Sequence, residues 1–106
     1  MEQPNLNYIK ELSEGDASFE EKLIRVLKRE LPEEYAQFLK SFEEKKFKKT
    51  AEDVHKLKHK ISILGLVKGY ELAATFEKNL KERGDTSLND SFRKIIEAMI
   101  DFIKPL

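Results

Sequence analysis

The chain has 106 residues, of which 38% are charged, with equal numbers of acidic and basic side chains and no cysteine. This length fits one domain spanning residues 1–106, and the lack of cysteine excludes disulfides and thiolate metal sites. The acidic N-terminal stretch does not have the pattern of a signal peptide, and no apolar run approaches the roughly 20 residues that a membrane span needs, so we expect a cytoplasmic protein.

The charges are distributed unevenly along the chain. Residues 1–39 carry nine acidic and five basic side chains, whereas residues 44–60 carry seven lysines against three acids. Nucleic-acid-binding domains are usually strongly basic, so a chain of zero net charge is a poor candidate for that class. The lysine cluster fits either an acidic protein partner or an ordinary solvated face.

Apolar spacing predicts helices from the N-terminus onward, and no convincing strand alternation is found. A short first helix on Leu6, Ile9 and Leu12 is expected to end near Gly15. A capping box formed by Ser18 and Glu21 predicts the start of a second helix. That helix is expected to end near Leu31, because the next residue is a proline.

Pro32 suits the first turn of a third helix, where its missing N–H costs nothing. Thr50 and Asp53 predict the cap of a fourth helix, which is expected to stop at Gly65. A fifth helix is predicted over about Val67 to Arg83 and a sixth over about Leu88 to Ile103. The third helix carries an apolar stripe made of Tyr35, Phe38, Leu39 and Phe42.

Short connections between long helices favour antiparallel neighbours. We therefore expect an all-α fold, an antiparallel up-and-down four-helix bundle with two additional N-terminal helices packed across one end. Small residues at Gly69 and Ala73 would let a neighbouring helix approach closely. The phenylalanines at helical spacing are expected in the core: Phe38, Phe42, Phe76 and Phe92.

Both histidines of the chain lie in the segment VHKLKHKISILGL, residues 54–66. With His55 set at zero and 100° per residue, the apolar side chains of this helix fall in an arc of roughly 180° to 260°. His59 and Ser62 fall at roughly +40° and −20° on the opposite side. Both imidazoles are therefore predicted to face solvent.

Three interpretations of the histidine pair remain open at this point. The first is that both are ordinary surface residues. The second is a metal site, since histidines at i and i+4 can chelate zinc, but the HExxH pattern is absent and Lys56 and Lys58 would repel a dication. The third is a nucleophile, because an exposed neutral imidazole can attack phosphorus and carry a phosphoryl group.

The same segment resembles the histidine-containing phosphotransfer (HPt) domain family. Members carry a phosphoacceptor His, then Leu and Lys two and three residues on, and a Leu-Gly pair nine and ten residues on. Here these are His55, Leu57, Lys58 and Leu64-Gly65. A hydrophobic-Glu pair on the next helix matches Phe76-Glu77. Upstream features of the family match Gly15-Asp16 and RELPEEYAQFLKSF, so the resemblance extends from about Leu12 to Arg83.

The chain departs from the family at the fourth position after the acceptor, where Gly is usual and His59 stands here. Lys60 and Ile61 also replace small or hydroxylic residues, and Ser62 restores a hydroxyl one place further on. The resemblance excludes His59 as the acceptor, because Leu, Lys and Gly do not follow it at the required spacing.

The resemblance implies a phosphorelay carrier without kinase activity of its own. His55 would accept a phosphoryl group from a receiver-domain aspartyl phosphate and pass it to another receiver, Lys58 would stabilise the phosphoryl charge, and Glu77 would orient the imidazole. We expect the partner to be a response-regulator receiver domain, such as that of a hybrid sensor kinase. We expect this chain itself to be a monomer. No nucleic acid or membrane partner is expected. The expected contact residues are His59, Ser62, Lys56 and Gly65.

No cofactor is expected in this chain, because the receiver would bring the divalent metal and the acidic cluster. There is also no glycine-rich phosphate loop for ATP. Two rival interpretations keep the same fold. One is a phosphorylation-silent bundle that docks a receiver or kinase, which the presence of His59 favours. The other is a helical structural or adaptor domain unrelated to signalling.

Overall fold

The computed structural model describes residues 2–106, which form five helices and no strand. None of these helices is both long and apolar enough to cross a membrane. In chain order the helices are α1 (Asn7–Ser13), α2 (Ala17–Glu43), α3 (Phe47–Ile63), α4 (Val67–Arg83) and α5 (Asn89–Ile103). Helix α3 packs against both α2 and α4, α5 packs against the same two helices, and α1 lies on α2.

Helix α2 runs without interruption through Pro32, where the sequence predicts the boundary between two helices. A proline inside a helix costs about 3 kcal/mol, because a backbone hydrogen bond is lost and the ring crowds the preceding turn. Here Leu27, Leu31, Tyr35 and Phe38 form one buried face that continues across the proline. Burial of that face offsets the cost, so one N-terminal helix, not two, accompanies the four long ones.

The predicted caps of two helices are also wrong. Helix α2 is capped by Asp16, whose Oδ1 accepts a hydrogen bond from the Phe19 N–H at 3.1 Å, and not by Ser18. Helix α3 begins at Phe47, so Thr50 and Asp53 lie inside it and are buried. Asp53 accepts hydrogen bonds from Ser41 Oγ at 2.7 Å and Lys49 Nζ at 2.6 Å. These side chains join α2 to α3 instead of capping a helix end.

The predicted core aromatic residues meet in the middle of the bundle. Phe38, Phe76 and Phe92 are fully buried, and the ring of Phe92 lies 5.1 Å from that of Phe38 and 5.3 Å from that of Phe76. Phe42 is partly buried against them. Because these rings come from α2, α4 and α5, their contacts hold the three helices together.

Helices α3 and α4 approach each other closely where the sequence has small residues. Gly69 is buried, and a Cβ added there would lie 3.2 Å from Cγ2 of Ile61. Ala73, one turn further along α4, is fully buried. This close packing sets α4 beside the helix that carries both histidines.

The turn between α3 and α4 is supported by the N-terminal segment. Gly65 has φ +78, a left-handed conformation that favours glycine. The Asn5 N–H donates to the Leu64 carbonyl at 2.9 Å. The carboxylate of Glu2 accepts from the backbone N–H groups of Lys68 and Gly69 at the start of α4.

Candidate functional site

His55 lies on the exposed face of α3, as helix phase predicts, with 51% of its side chain accessible. Its Nδ1 atom lies 3.1 Å and 3.2 Å from the two carboxylate oxygens of Glu77 on α4. An Nδ1–H that donates to this carboxylate leaves Nε2 as the nitrogen with a free lone pair. The arrangement therefore selects which ring nitrogen is nucleophilic.

Glu77 is buried between α3 and α4, with 9% of its side chain accessible. Two lysines share its carboxylate with His55. Lys58 Nζ lies 3.0 Å from Oε1, and Lys81 Nζ lies 3.2 Å from Oε2. A buried carboxylate is stable when cations and hydrogen bonds compensate its charge, and this one has three such partners.

The ionisation of Glu77 follows from these contacts. Burial by itself would raise the pKa of this carboxyl. Hydrogen bonds from Lys58, Lys81 and His55 outweigh burial and hold the pKa below its usual range. Glu77 is therefore a carboxylate at neutral pH and can accept a hydrogen bond from the Nδ1–H group of His55.

The Lys58 side chain is more buried than its position on the solvent side of the helix suggests. Only 14% of its side chain is accessible, and its ammonium lies 5.5 Å from the centre of the Tyr70 ring in addition to its contact with Glu77. Tyr70 is itself partly exposed. The lysine that the resemblance assigns to phosphoryl binding is thus held by a carboxylate and an aromatic ring of the next helix.

His59 lies one turn beyond His55 and is also exposed. The two imidazole rings are 4.9 Å apart between centroids and perpendicular to each other. Edge-to-face packing at this separation is a favourable geometry for aromatic rings. The residue that replaces the usual glycine is therefore in direct contact with the candidate acceptor.

The other contact residues expected from the sequence line two surface depressions. Lys56 is exposed and lines one of them together with His55, Glu77 and Lys81. Ser62 and Gly65 line the second, beside Val67 and Tyr70. The site residues thus lie on α3, on the turn that follows it and on the facing side of α4.

Several lysines of the basic segment are already paired. Lys60 bridges to Glu30 and Glu34 on α2, and Lys49 binds buried Asp53. Within residues 2–106, the exposed side chains of Lys45, Lys48 and Lys56 make no ion pair. Some lysines of the cluster therefore bind other parts of the fold, and others are available to an acidic partner. No group of three or more His, Asp or Glu side chains in this range could hold a metal ion.

Sequence reasoning missed Lys81 and Tyr70. Lys81 stands four residues after Glu77, a spacing that puts two helical side chains on one face, and this was the signal available for it. Tyr70 gives no such signal, because its contact with Lys58 crosses from α4 to α3.

Comparison with known families identifies the family of this chain. A family model described as Hpt domain matches residues 22–104, which include both histidines and Glu77. Neither the curated proteins nor the solved structures gave a significant match. The match covers most of the chain, and the chain therefore belongs to the Hpt domain family.

Proposed function

We propose that His55 accepts a phosphoryl group from the aspartyl phosphate of a receiver domain and passes it to the aspartate of another receiver. Membership of the Hpt domain family implies histidine phosphotransfer in a phosphorelay, by a carrier and not by an enzyme in the usual sense. The observation that carries the assignment to His55 is its exposed imidazole, whose Nδ1 lies 3.1 Å from a carboxylate oxygen of buried Glu77.

The proposed step needs only the atoms of the imidazole and of the aspartyl phosphate. The Nε2 lone pair attacks phosphorus, an N–P bond forms, and the P–O bond to the receiver aspartate breaks, which releases a carboxylate. The ring gains positive charge as the N–P bond forms. The negative charge of Glu77 on the Nδ1 side stabilises that charge. In the second transfer an aspartate oxygen of another receiver attacks phosphorus, the N–P bond breaks, and its electron pair returns to Nε2.

Lys58 is proposed to stabilise the phosphoryl group. It stands three residues after His55 and its ammonium contacts Oε1 of Glu77, the carboxylate that also binds the imidazole. A flexible lysine side chain can exchange one anionic partner for another, and a hydrogen bond between two charged groups is stronger than a neutral one. The divalent metal and the acidic cluster are proposed to come from the receiver.

The receiver is proposed to dock on the surface around His55, with contacts to Lys56, His59, Ser62 and Gly65. Charge supports this assignment, since Lys56 and the other unpaired lysines of the basic segment would face an acidic pocket. Exposed apolar side chains at Val67 and Tyr70 border the second depression and add apolar contact area. Transient signalling contacts of this kind can be small.

We further propose that α2 to α5 form the antiparallel up-and-down bundle expected from their short connections. The receiver of a hybrid sensor kinase is the proposed donor. The chain is proposed to act as a cytoplasmic monomer, which sedimentation and cell fractionation would test.

A second candidate function is a bundle that docks a receiver without accepting phosphate. The observation that favours it is the position of His59, whose ring lies 4.9 Å from that of His55 where the family usually has glycine. Crowding by this ring would hinder the approach of an aspartyl phosphate while leaving the docking surface intact.

The deciding experiment mixes the protein with a phosphorylated receiver and follows the label. We expect an acid-labile, base-stable phosphoprotein, as phosphohistidine requires. His55→Gln should abolish the label, whereas His59→Gln should retain label on the protein. Circular dichroism of both variants checks that they are folded. Label that persists in His55→Gln would refute the assignment, and binding of receivers without any label would select the docking function.

A further inference from the structure

The acceptor imidazole makes two different kinds of contact in this structure. Glu77 contacts one ring atom, Nδ1, through both carboxylate oxygens. His59 contacts the ring through its own ring, with centroids 4.9 Å apart and planes at 90°. The first contact fixes the position of one nitrogen, and the second restricts the plane of the ring.

We infer that His59 is a positioning residue for the phosphoacceptor. Rotation of a histidine ring about its Cβ–Cγ bond is only weakly restricted, because this torsion is broad and roughly two-fold. Half of the His55 side chain is exposed, so the core does not restrict the ring. The ring of His59 blocks one side and, together with Glu77, keeps Nε2 directed to the incoming receiver.

The inference rests on the proposed function for its role in transfer, but the ring contact itself does not depend on phosphate. His59 acts in this arrangement through the shape of its ring and not through a nitrogen, since within residues 2–106 its nitrogens make no hydrogen bond to another side chain. This separates it from Lys58, which acts through charge.

Two substitutions separate ring shape from hydrogen bonding. His59→Phe retains a flat ring at the same distance from the backbone but has no N–H group. His59→Gln retains an N–H donor but has no ring. His59→Ala removes both, and circular dichroism of the three variants checks that helix α3 is intact.

The first readout is nitrogen NMR of the His55 side chain in the unphosphorylated protein, recorded at a pH above which the nitrogen shifts no longer change. We expect the natural protein and His59→Phe to show predominantly the tautomer with hydrogen on Nδ1. His59→Gln and His59→Ala should show a larger share of the other tautomer and a more mobile ring. A tautomer ratio that is the same in all four proteins would overturn the inference.

The second readout is the single-turnover rate of transfer from a phosphorylated receiver. The loss of one aromatic contact predicts a rate lowered about two- to tenfold in His59→Gln, with a smaller loss in His59→Phe. The reverse order would show that His59 acts through its nitrogen, and the inference would then be wrong. The expected NMR pattern with no transfer in any protein would support positioning while refuting the proposed function.

Discussion

The ammonium of Lys58 lies 3.0 Å from Oε1 of Glu77, and this ion pair joins α3 to α4 beside the exposed imidazole of His55. Both side chains are largely buried, with 14% and 9% accessible. Exposed ion pairs contribute little to stability, whereas breaking a shielded pair leaves an uncompensated charge. We therefore expect the Lys58–Glu77 pair to affect both the stability of the fold and the geometry of the site. Substitutions of each residue test these two effects.

Lys58→Met should weaken phosphotransfer. A hydrogen bond to a charged group is worth about 1.5–3 kcal/mol, which corresponds to a rate lowered about tenfold to a hundredfold. Stopped-flow mixing with a phosphorylated receiver measures that rate. Lys94→Met on α5 makes the same change in net charge away from the site and serves as the control. Equal rates for the two variants would contradict the role proposed for Lys58.

Glu77→Gln should change how stability depends on pH. The folded pKa of Glu77 is held below its ordinary value of 4.5, because hydrogen bonds from Lys58, Lys81 and His55 outweigh the effect of burial. A carboxyl whose pKa is lowered on folding contributes stability above its unfolded pKa, and loses that contribution as pH falls through the folded pKa. At neutral pH we expect the variant to be less stable by about 1–3 kcal/mol.

Urea unfolding over a pH series measures this difference. The difference in unfolding free energy between the natural protein and Glu77→Gln should be largest above pH 4.5 and should shrink as the pH falls below that value. Glu71→Gln makes the same change in charge at an exposed position of the same helix and is the matched control. A difference between the natural protein and Glu77→Gln that stays constant down to strongly acidic pH would refute the linkage.

Gly65→Ala should destabilise the turn between α3 and α4 for two reasons. The residue has φ +78, where a side chain costs about 1–2 kcal/mol. An added Cβ would also lie 2.6 Å from the Asn5 side-chain nitrogen. Gly15→Ala is a control with the same backbone cost, since Gly15 has φ +83 and no neighbour within 4 Å.

The free energy of unfolding should therefore fall further for Gly65→Ala than for Gly15→Ala. Adding Asn5→Ala to Gly65→Ala should recover part of the difference, because the crowded side chain is then shortened. Equal losses in the two glycine variants would mean that the N-terminal segment moves aside without cost.

Asp53→Ala should destabilise the junction of α2 and α3. The carboxylate is 1% exposed and accepts hydrogen bonds from the buried Ser41 hydroxyl and from the Lys49 ammonium, so its removal takes away the hydrogen bond between α2 and α3 and the ion pair with Lys49. Such a loss costs about 1–3 kcal/mol. Thermal or urea unfolding measures it, with exposed Asp101→Ala as the control. Because the junction lies in the core and not at the histidines, the folded variant should still accept phosphate on His55.

The sequence by itself determined most of what depends on one helix at a time. Periodicity placed His55 and His59 on the exposed side and Phe38, Phe76 and Phe92 in the core, and the structure agrees. The bounds predicted for α4, Val67 to Arg83, are those observed. These features follow from local spacing, since the side of a helix on which a residue lies depends only on its neighbours in the chain.

Features that depend on contacts between helices were not predictable in this way. The local rule that proline ends a helix was overridden at Pro32, because the buried face of α2 continues through it. Thr50 and Asp53 have the spacing of a helix cap, yet they lie inside α3 and bind Ser41 on α2. In each case burial against a neighbouring helix outweighed a local preference.

The candidate site shows the same division. Helix phase placed both histidines on one face, and only resemblance to a family distinguished His55 from His59 and suggested Glu77 as the partner of the imidazole. Only the tertiary structure brought Lys58, Lys81 and His55 onto one carboxylate and set the two imidazole rings at right angles. Periodicity fixes the face on which a side chain lies. Its partners depend on the register of α3 against α4, which is set by packing around Gly69 and Ala73, and on the rotamers chosen in the folded protein.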